Sequence, residues 1–313
     1  MKQILSIDGG GIKGVFPAAF LASIEQSLQV NVGDYFDLIV GTSTGGVIAL
    51  GLGAGMSAGE LLAFYEELGP KIFAGHRLTR WLRKFGVAKY DVEPLRGALR
   101  EKFGERRLGD SRTRLVIPSV NLLTGEVHLY KTAHHSRLAT DYKEAMVDVA
   151  MATSAAPTFF PTHISAAGIP LIDGGTYANN PAGLAVVEAI SMLHWTVGDF
   201  RLLSLGCTET PLSVEIGGPL GRGQLYWMTR IVNVMMTAQS SLSTGMAQHL
   251  AGHDKVSRIN PVTPKGRYAL DAASHIDSLK GLGYAEARKA LERVQPFFSA
   301  EAEPFVPLHT FNQ

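Results

Sequence analysis

The chain has 313 residues, 46% of them hydrophobic and 18% charged, with a formal net charge of +1. That is enough apolar material for one large α/β domain with a sizeable core, or at most two smaller ones. A single cysteine, Cys207, excludes an internal disulfide and a cysteine-rich zinc site, and no apolar run reaches the ~18 residues of a spanning helix, Arg230 interrupting the best stretch.

In chain order, Gln3 to Ile7 reads as a strand that ends in the turn Asp8-Gly9-Gly10-Gly11-Ile12-Lys13-Gly14. A helix is predicted over about 15–29 and a strand over 36–40. A second turn follows, Gly41-Thr42-Ser43-Thr44-Gly45, and then a helix over about 45–55. Ser57 and Glu60 form a capping box that opens a helix over 57–69. Residues 76–110 look helical, basic and loop-interrupted, with strands at 115–121 and 127–130 around Thr124-Gly125. An amphipathic helix is predicted over 141–153, and Ile169 to Ile172 leads into Asp173-Gly174-Gly175. Asn180-Pro181 caps another helix, followed by a strand at 201–205 and helices at 224–246 and 284–294.

Strands alternating with helices predict a three-layer α/β/α fold with a mostly parallel central sheet covered on both faces. No repeat or linker divides the chain, so 1–313 reads as a single domain. Its motif-bearing core is expected over about 3–200 and a helical C-terminal part over about 220–313.

Charge is unevenly placed. Residues 71–114 hold 13 Lys/Arg against 5 Asp/Glu, a local +8 in a nearly neutral chain. Two readings stand: a face for an anionic partner, or a solvated surface that is merely basic.

Ser43 sits on a strand-to-helix turn between two glycines, the arrangement of a nucleophile elbow. Side chains at 41 and 45 would collide in so tight a turn, and the following helix directs its N-terminal dipole at the reacting centre. The alternative is an ordinary Gly/Ser turn. Gly9, Gly11 and Gly14 also match a dinucleotide-binding fingerprint. That use needs an acid at the end of the second strand, where this chain has Ser43; Asp34 and Asp37 precede or begin that strand. The glycine loop, with Gly9, Gly10, Gly11 and Gly14, is better suited to present N–H groups to an oxyanion.

The serine needs a base. His194, His249, His253 and His275 are each candidates for a Ser–His–Asp triad, although none lies in a recognisable histidine loop. Asp173 ends a short apolar strand ahead of Gly174-Gly175, on the sheet edge where a doubly wound fold binds ligands. As a base it needs a pKa raised from ~3.9. It also fits a turn aspartate that caps its own backbone.

The three motifs in this order resemble those of the patatin-like phospholipase family. Asp8 to Gly14 resembles the oxyanion loop, Gly41 to Gly45 the elbow, Asp173 to Gly175 the dyad aspartate, and Ser154 to Pro161 a segment ahead of it. The resemblance spans about 3–190 and thins beyond about 200. It implies a lipid acyl hydrolase with Ser43 as nucleophile, Asp173 as base, Gly10 and Gly11 as oxyanion donors, and neither cofactor nor metal. Lys13 stands where many members have arginine, which keeps the charge without bidentate phosphate recognition. A non-catalytic lipid-binding protein that kept the fold is the further alternative.

Residues 77–85 place Leu78, Trp81, Leu82 and Phe85 at helical spacing, with Arg80, Arg83 and Lys84 elsewhere on the wheel. This fits a membrane-interface helix, and equally a core-packed helix with a basic outer face. The layout also resembles bacterial patatin-like effectors of antiphage signalling, which cyclic dinucleotides switch on. The expected partners are therefore membrane phospholipid as substrate, a cyclic dinucleotide as activator and a second copy of the chain, with no nucleic-acid polymer. Since Met1-Lys2 runs straight into the first strand, a cytoplasmic protein associating peripherally with the inner face of the membrane is expected.

Overall fold

The computed structural model describes residues 1–73, 88–211, 227, 230–264 and 266–311. The strands are β1 (Lys2–Ile7), β2 (Leu38–Gly41), β3 (Arg114–Asn121), β4 (Val127–Lys131), β5 (His163–Ile164), β6 (Pro170–Asp173), β7 (Phe200–Leu205) and β8 (Val256–Ile259). The longer helices are α1 (Val15–Leu28), α2 (Thr44–Gly53), α3 (Ala58–Phe73), α4 (Glu93–Phe103), α5 (Met146–Thr153), α6 (Ala182–Ser191), α7 (Ile231–Ala251) and α8 (Ile276–Val294).

The body of the sheet runs β3-β2-β1-β7-β8, all parallel. Successive side chains of a strand face opposite sides, and here both sides are dry. Leu5, Ile7, Ile39, Leu115 and Leu203 pack under α1, α2, α3 and α8. Ile4, Leu38, Val40, Val116 and Leu202 pack under α6 and α7. Double coverage explains why these strands read as continuous apolar runs rather than alternating ones. Phe16 and Phe20 of α1 are fully buried, each stabilising the fold by roughly 2–3 kcal/mol. The turn before α3 is the capping box expected: Glu60 N–H donates to Ser57 Oγ, and Glu60 Oε2 accepts from Ser57 N–H at 2.8 Å.

The long strand β3 organises the rest. Along one edge, Val116 to Val120 pair with β4 throughout. Along the other, Arg114 to Val116 pair with β2, and Ser119 to Asn121 pair with β6. Because a strand has only two edges, β2 and β6 occupy the same edge of β3, one beyond the other. They run in opposite directions and meet head-on.

Three expectations change. Asp173 ends an antiparallel strand, so its position does not follow from the parallel doubly wound rule. It reaches the edge of the sheet because β6 descends along the overhang of β3. The helix expected over 141–153 is only α5; Asp141–Lys143 is a separate 3-10 turn, and α5 is buried almost all round rather than amphipathic. Between the two, the Glu144 carbonyl accepts from Leu108 N–H and Met146 N–H donates to the Arg106 carbonyl, so the backbone is bridged and not helical. The C-terminal part is not purely helical either: β8 extends the central sheet beside β7. Its sequence Val-Ser-Arg-Ile interrupts apolar character with an arginine, which hid it from a periodicity search. The candidates Arg80, Trp81, Arg83, Lys84 and Phe85 lie outside the described residues, as does the start of the helix expected from 224.

Candidate active site

The elbow is built from β2 and α2. Ser43 has φ 54° and ψ −122°, a conformation that L-residues rarely adopt. A Cβ at Gly41 would lie 2.1 Å from the Gly45 carbonyl oxygen, and one at Gly45 would lie 2.3 Å from that of Ile7. Only glycine lets β1, β2 and the start of α2 approach so closely. The elbow is pinned from α5: Ser43 N–H donates to Thr153 Oγ1 at 3.0 Å, and that hydroxyl donates to the Pro118 carbonyl at 2.7 Å.

Ser43 Oγ donates to Asp173 Oδ2 at 2.6 Å. The other carboxylate oxygen, Oδ1, accepts from Gly175 N–H at 2.6 Å. Both side chains are buried. Burial pushes the Asp173 carboxyl up to about 6, against the hydrogen bonds from Ser43 and Gly175 that favour its charged form. That is the direction a base working near neutral pH requires.

The glycine loop after β1 is held on all sides. Asp8 makes a bidentate ion pair with Arg258 of β8, whose Nη1 also donates to Ser204 Oγ at 2.8 Å. Gly9 N–H donates to the Asn179 carbonyl at 2.9 Å, and Ile12 N–H donates to the Leu270 carbonyl at 2.9 Å. Between these anchors, Gly10 and Gly11 N–H have no acceptor among the described residues. A Cβ at Gly10 would lie 2.5 Å from Cys207 Cβ. Gly11 has φ +56°, and a Cβ there would lie 2.3 Å from the Leu270 carbonyl oxygen. Burial pushes the Cys207 thiol up to about 12, so it acts as packing under the loop.

A cavity of about 730 Å³ opens over this centre. Gly10, Gly11, Ser43 and Asp173 lie on its wall, and Phe64, Leu68, Ile72, Phe159, Phe160 and Met235 make much of the remainder. None of the described histidines lines it. A buried hydroxyl bound to a carboxylate, beside two free N–H groups and facing an apolar chamber, can attack an ester whose acyl chain is long.

A family model for patatin-like phospholipases matches residues 5–186. The chain belongs to that family. It is 34% identical over 320 residues to a cGAMP-activated phospholipase of Pseudomonas aeruginosa, covering 99% of this chain and 96% of the relative. It is 34% identical over 280 residues to one of Vibrio cholerae, covering 81% and 79%. A patatin-like protein 2 of rice is 33% identical over 251 residues, covering 66% and 61%.

In this patatin-like fold the four glycines singled out from the sequence divide. Gly10 and Gly11 line the cavity with open N–H groups. The Gly9 N–H is already taken by Asn179, and Gly14 lies behind the loop, where a Cβ would meet Thr44 Oγ1 at 2.1 Å. Of the four, only Gly10 and Gly11 are thus placed where an oxyanion could reach their N–H groups. Lys13 does not line the cavity; its Nζ donates to the Thr208 carbonyl at 3.4 Å, and burial lowers its pKa. His194, His249, His253 and His275 stay apart from Ser43: the first stacks edge-on with His135, the second and third with each other, and the last with Tyr268. Asp37 anchors the start of β1, accepting from Gln3 N–H at 2.8 Å, which gives that acid a structural use.

Arg258, Thr153, Asn179 and Leu270 leave no local signal in the sequence. Each acts through tertiary contact with a loop far away in the chain. The segment Ser154 to Phe160 carried a visible signal, and it lines the cavity, with the Ala155 carbonyl accepting from Asp173 N–H at 3.0 Å.

Proposed function

We propose that this protein is a phospholipase that cleaves acyl esters of membrane phospholipids through Ser43 and Asp173. The observation that carries the reading is the 2.6 Å hydrogen bond from Ser43 Oγ to Asp173 on the wall of an apolar cavity. Asp173 takes the hydroxyl proton as Oγ bonds to the ester carbonyl carbon. The carbonyl oxygen gains the negative charge, and Gly10 and Gly11 N–H receive it. The carbon–oxygen ester bond breaks, and the departing alcohol takes the proton from Asp173. Water then attacks the acyl-enzyme, giving its proton to the carboxylate, which returns it to Ser43 as the fatty acid leaves. The buried dyad supplies a base without histidine because burial has already brought the carboxylate towards neutrality. A triad with a histidine is disfavoured by the absence of any described histidine from the cavity wall.

The activator belongs to the same proposal. Relatives named cGAMP-activated phospholipases align with nearly the whole chain, including the part beyond the patatin match. A cyclic dinucleotide is accordingly the ligand expected to switch on hydrolysis here. Fatty-acid release from phospholipid vesicles, followed with and without cGAMP, tests both parts. Release that depends on nucleotide and vanishes in Ser43→Ala is expected. Equal release by Ser43→Ala overturns the nucleophile, and full release without nucleotide overturns the switch.

A further inference from the structure

The helix α7 has three faces where a surface helix has two. Over its 21 residues it carries no Lys, Arg, Asp or Glu. Ser243, Ala247 and Ala251, at four-residue spacing, form the buried face, and Ser243 Oγ accepts from Gly183 N–H of α6 at 2.8 Å. Asn233, Thr237, Ser241 and Gln248 form a polar face. Between them runs a stripe of large apolar side chains in the open: Ile231 is 42% exposed, Met235 61%, Leu242 65% and Met246 39%, with Val232 at 61% and Leu250 at 39% along one border. His249 shares this side near the C-terminal end, and an exposed apolar stripe of this kind marks an interaction surface.

Its position names the partner. Val232, Met235, Met236 and Gln239, at the N-terminal end of α7, line the cavity that holds Ser43 and Asp173. The stripe starts at that cavity and runs outward along the helix for about 28 Å at 1.5 Å per residue. A second protein seated on it would cover the way into the chamber. A bilayer would instead meet the stripe with its acyl region and offer lipid to the opening. The stripe brings no acidic group that an anionic surface would repel, and its methionines are flexible enough to pack against fluid chains. Trp227, just before the helix, is 44% exposed, and tryptophan suits the headgroup boundary.

We propose that the Ile231–Leu250 stripe of α7 is the surface by which this protein sits on a phospholipid bilayer, with the cavity opening against the membrane. This rests on the reading above only in taking membrane phospholipid as the substrate.

The test is the double variant Leu242→Glu/Met246→Glu, since neither residue lines the cavity. Flotation with vesicles of phosphatidylethanolamine and phosphatidylglycerol, and hydrolysis of the same vesicles, are measured with and without cGAMP. Both are expected to fall about tenfold or more, because two charges would have to enter the acyl boundary. Hydrolysis of soluble p-nitrophenyl butyrate stays within about twofold, since the reacting centre is untouched. Leu242→Phe/Met246→Phe is expected to float at least as well as the wild type, and it keeps the proposal testable if the glutamate pair fails to fold. Undiminished flotation of a folded glutamate variant overturns the proposal. So does a change in its oligomeric mass with vesicle binding intact, which would assign the stripe to a second copy. Wild-type protein that floats but releases no fatty acid would instead refute the hydrolase reading and leave the docking surface standing.

Discussion

Ser43 and Asp173 meet because β2 and β6 abut end to end along one edge of β3. The register makes this explicit: Val40 pairs with Val116, and Asp173 pairs with Ser119. Continued past β2, the same count brings Ser43 level with Ser119. The 2.6 Å contact is thus set by strand register, and 130 residues of intervening chain do not weaken it. Gly174 completes the junction, since a Cβ there would lie 2.2 Å from the Pro118 carbonyl oxygen.

The strained elbow predicts an order of stability. Ser43→Ala removes the hydroxyl and keeps a side chain at φ 54°. Ser43→Gly removes the hydroxyl and the strain together. Glycine is expected to exceed alanine in unfolding free energy by about 1 kcal/mol, strain relief outweighing the added freedom of the unfolded chain. Urea denaturation of the two variants measures the difference, and an alanine variant of equal or greater stability would refute stored strain.

Asp173 should impose an acid limb on activity. Its carboxyl titrates near 6 in the folded protein, and only the carboxylate can take the Ser43 proton. We expect kcat/KM on a soluble ester to rise about tenfold per pH unit below about 6 and to level off above about 7. A flat profile between about pH 5 and 7 would show that another group is the base.

The same carboxylate should oppose stability. An unfolded aspartate ionises near 3.8, whereas the buried one holds its proton to about 6. The native state therefore binds more protons across that window, and stability falls as pH rises through it. The loss amounts to about 3 kcal/mol in order of magnitude and is complete above the folded pKa. Asp173→Asn, which can still donate to Ser43 and accept from Gly175, avoids it. The variant is expected to lose at least ~10³-fold in kcat while its melting temperature, relative to wild type, climbs by a few degrees between about pH 4 and 7. Parallel melting curves at the two pH values would contradict this.

Gly11→Ala tests the oxyanion role proposed for the glycine loop. The methyl group would strike the Leu270 carbonyl in a left-handed conformation, so the loop must shift. The expected loss is about 10²–10³ in kcat with KM little changed, the signature of a transition-state donor displaced. A change confined to KM would place the loop in substrate binding.

Arg258 is expected to matter for folding despite its distance from the nucleophile in the chain. Arg258→Ala strands buried Asp8 beneath the glycine loop, and such unpaired charges destabilise by about 3–5 kcal/mol. Arg258→Lys restores only part, since an ammonium cannot form the two-pronged contact. Chemical denaturation of both variants decides; full rescue by lysine would mean that charge alone suffices.

Several parts of this molecule are legible in residues close together in the chain. The strands over 3–7, 36–40, 115–121 and 201–205 show themselves because both faces of the sheet are covered, which demands unbroken apolar runs. The two glycine turns show themselves because close backbone approach leaves no other residue possible. Ser57 and Glu60 announce a helix start through a contact three residues apart. Other parts are silent. Arg258 lies on an edge strand too short and polar to register, and the carbonyls of Asn179 and Leu270 bond through backbone, which no side-chain pattern encodes. The broken helix at 141–153 follows from pairing with 106–108, a partner that helical periodicity does not sense.

Local chemistry alone thus settles the elbow, the glycine loop and the class of sheet, because those depend on steric limits and on burial between neighbouring residues. The choice of aspartate over histidine as the partner of Ser43 needs the folded chain, since it turns on which side chain strand register carries to Oγ. So do the reduction of four glycines to Gly10 and Gly11, settled by which N–H groups other elements have already engaged, and the exposed third face of α7, which exists only because α6 covers another.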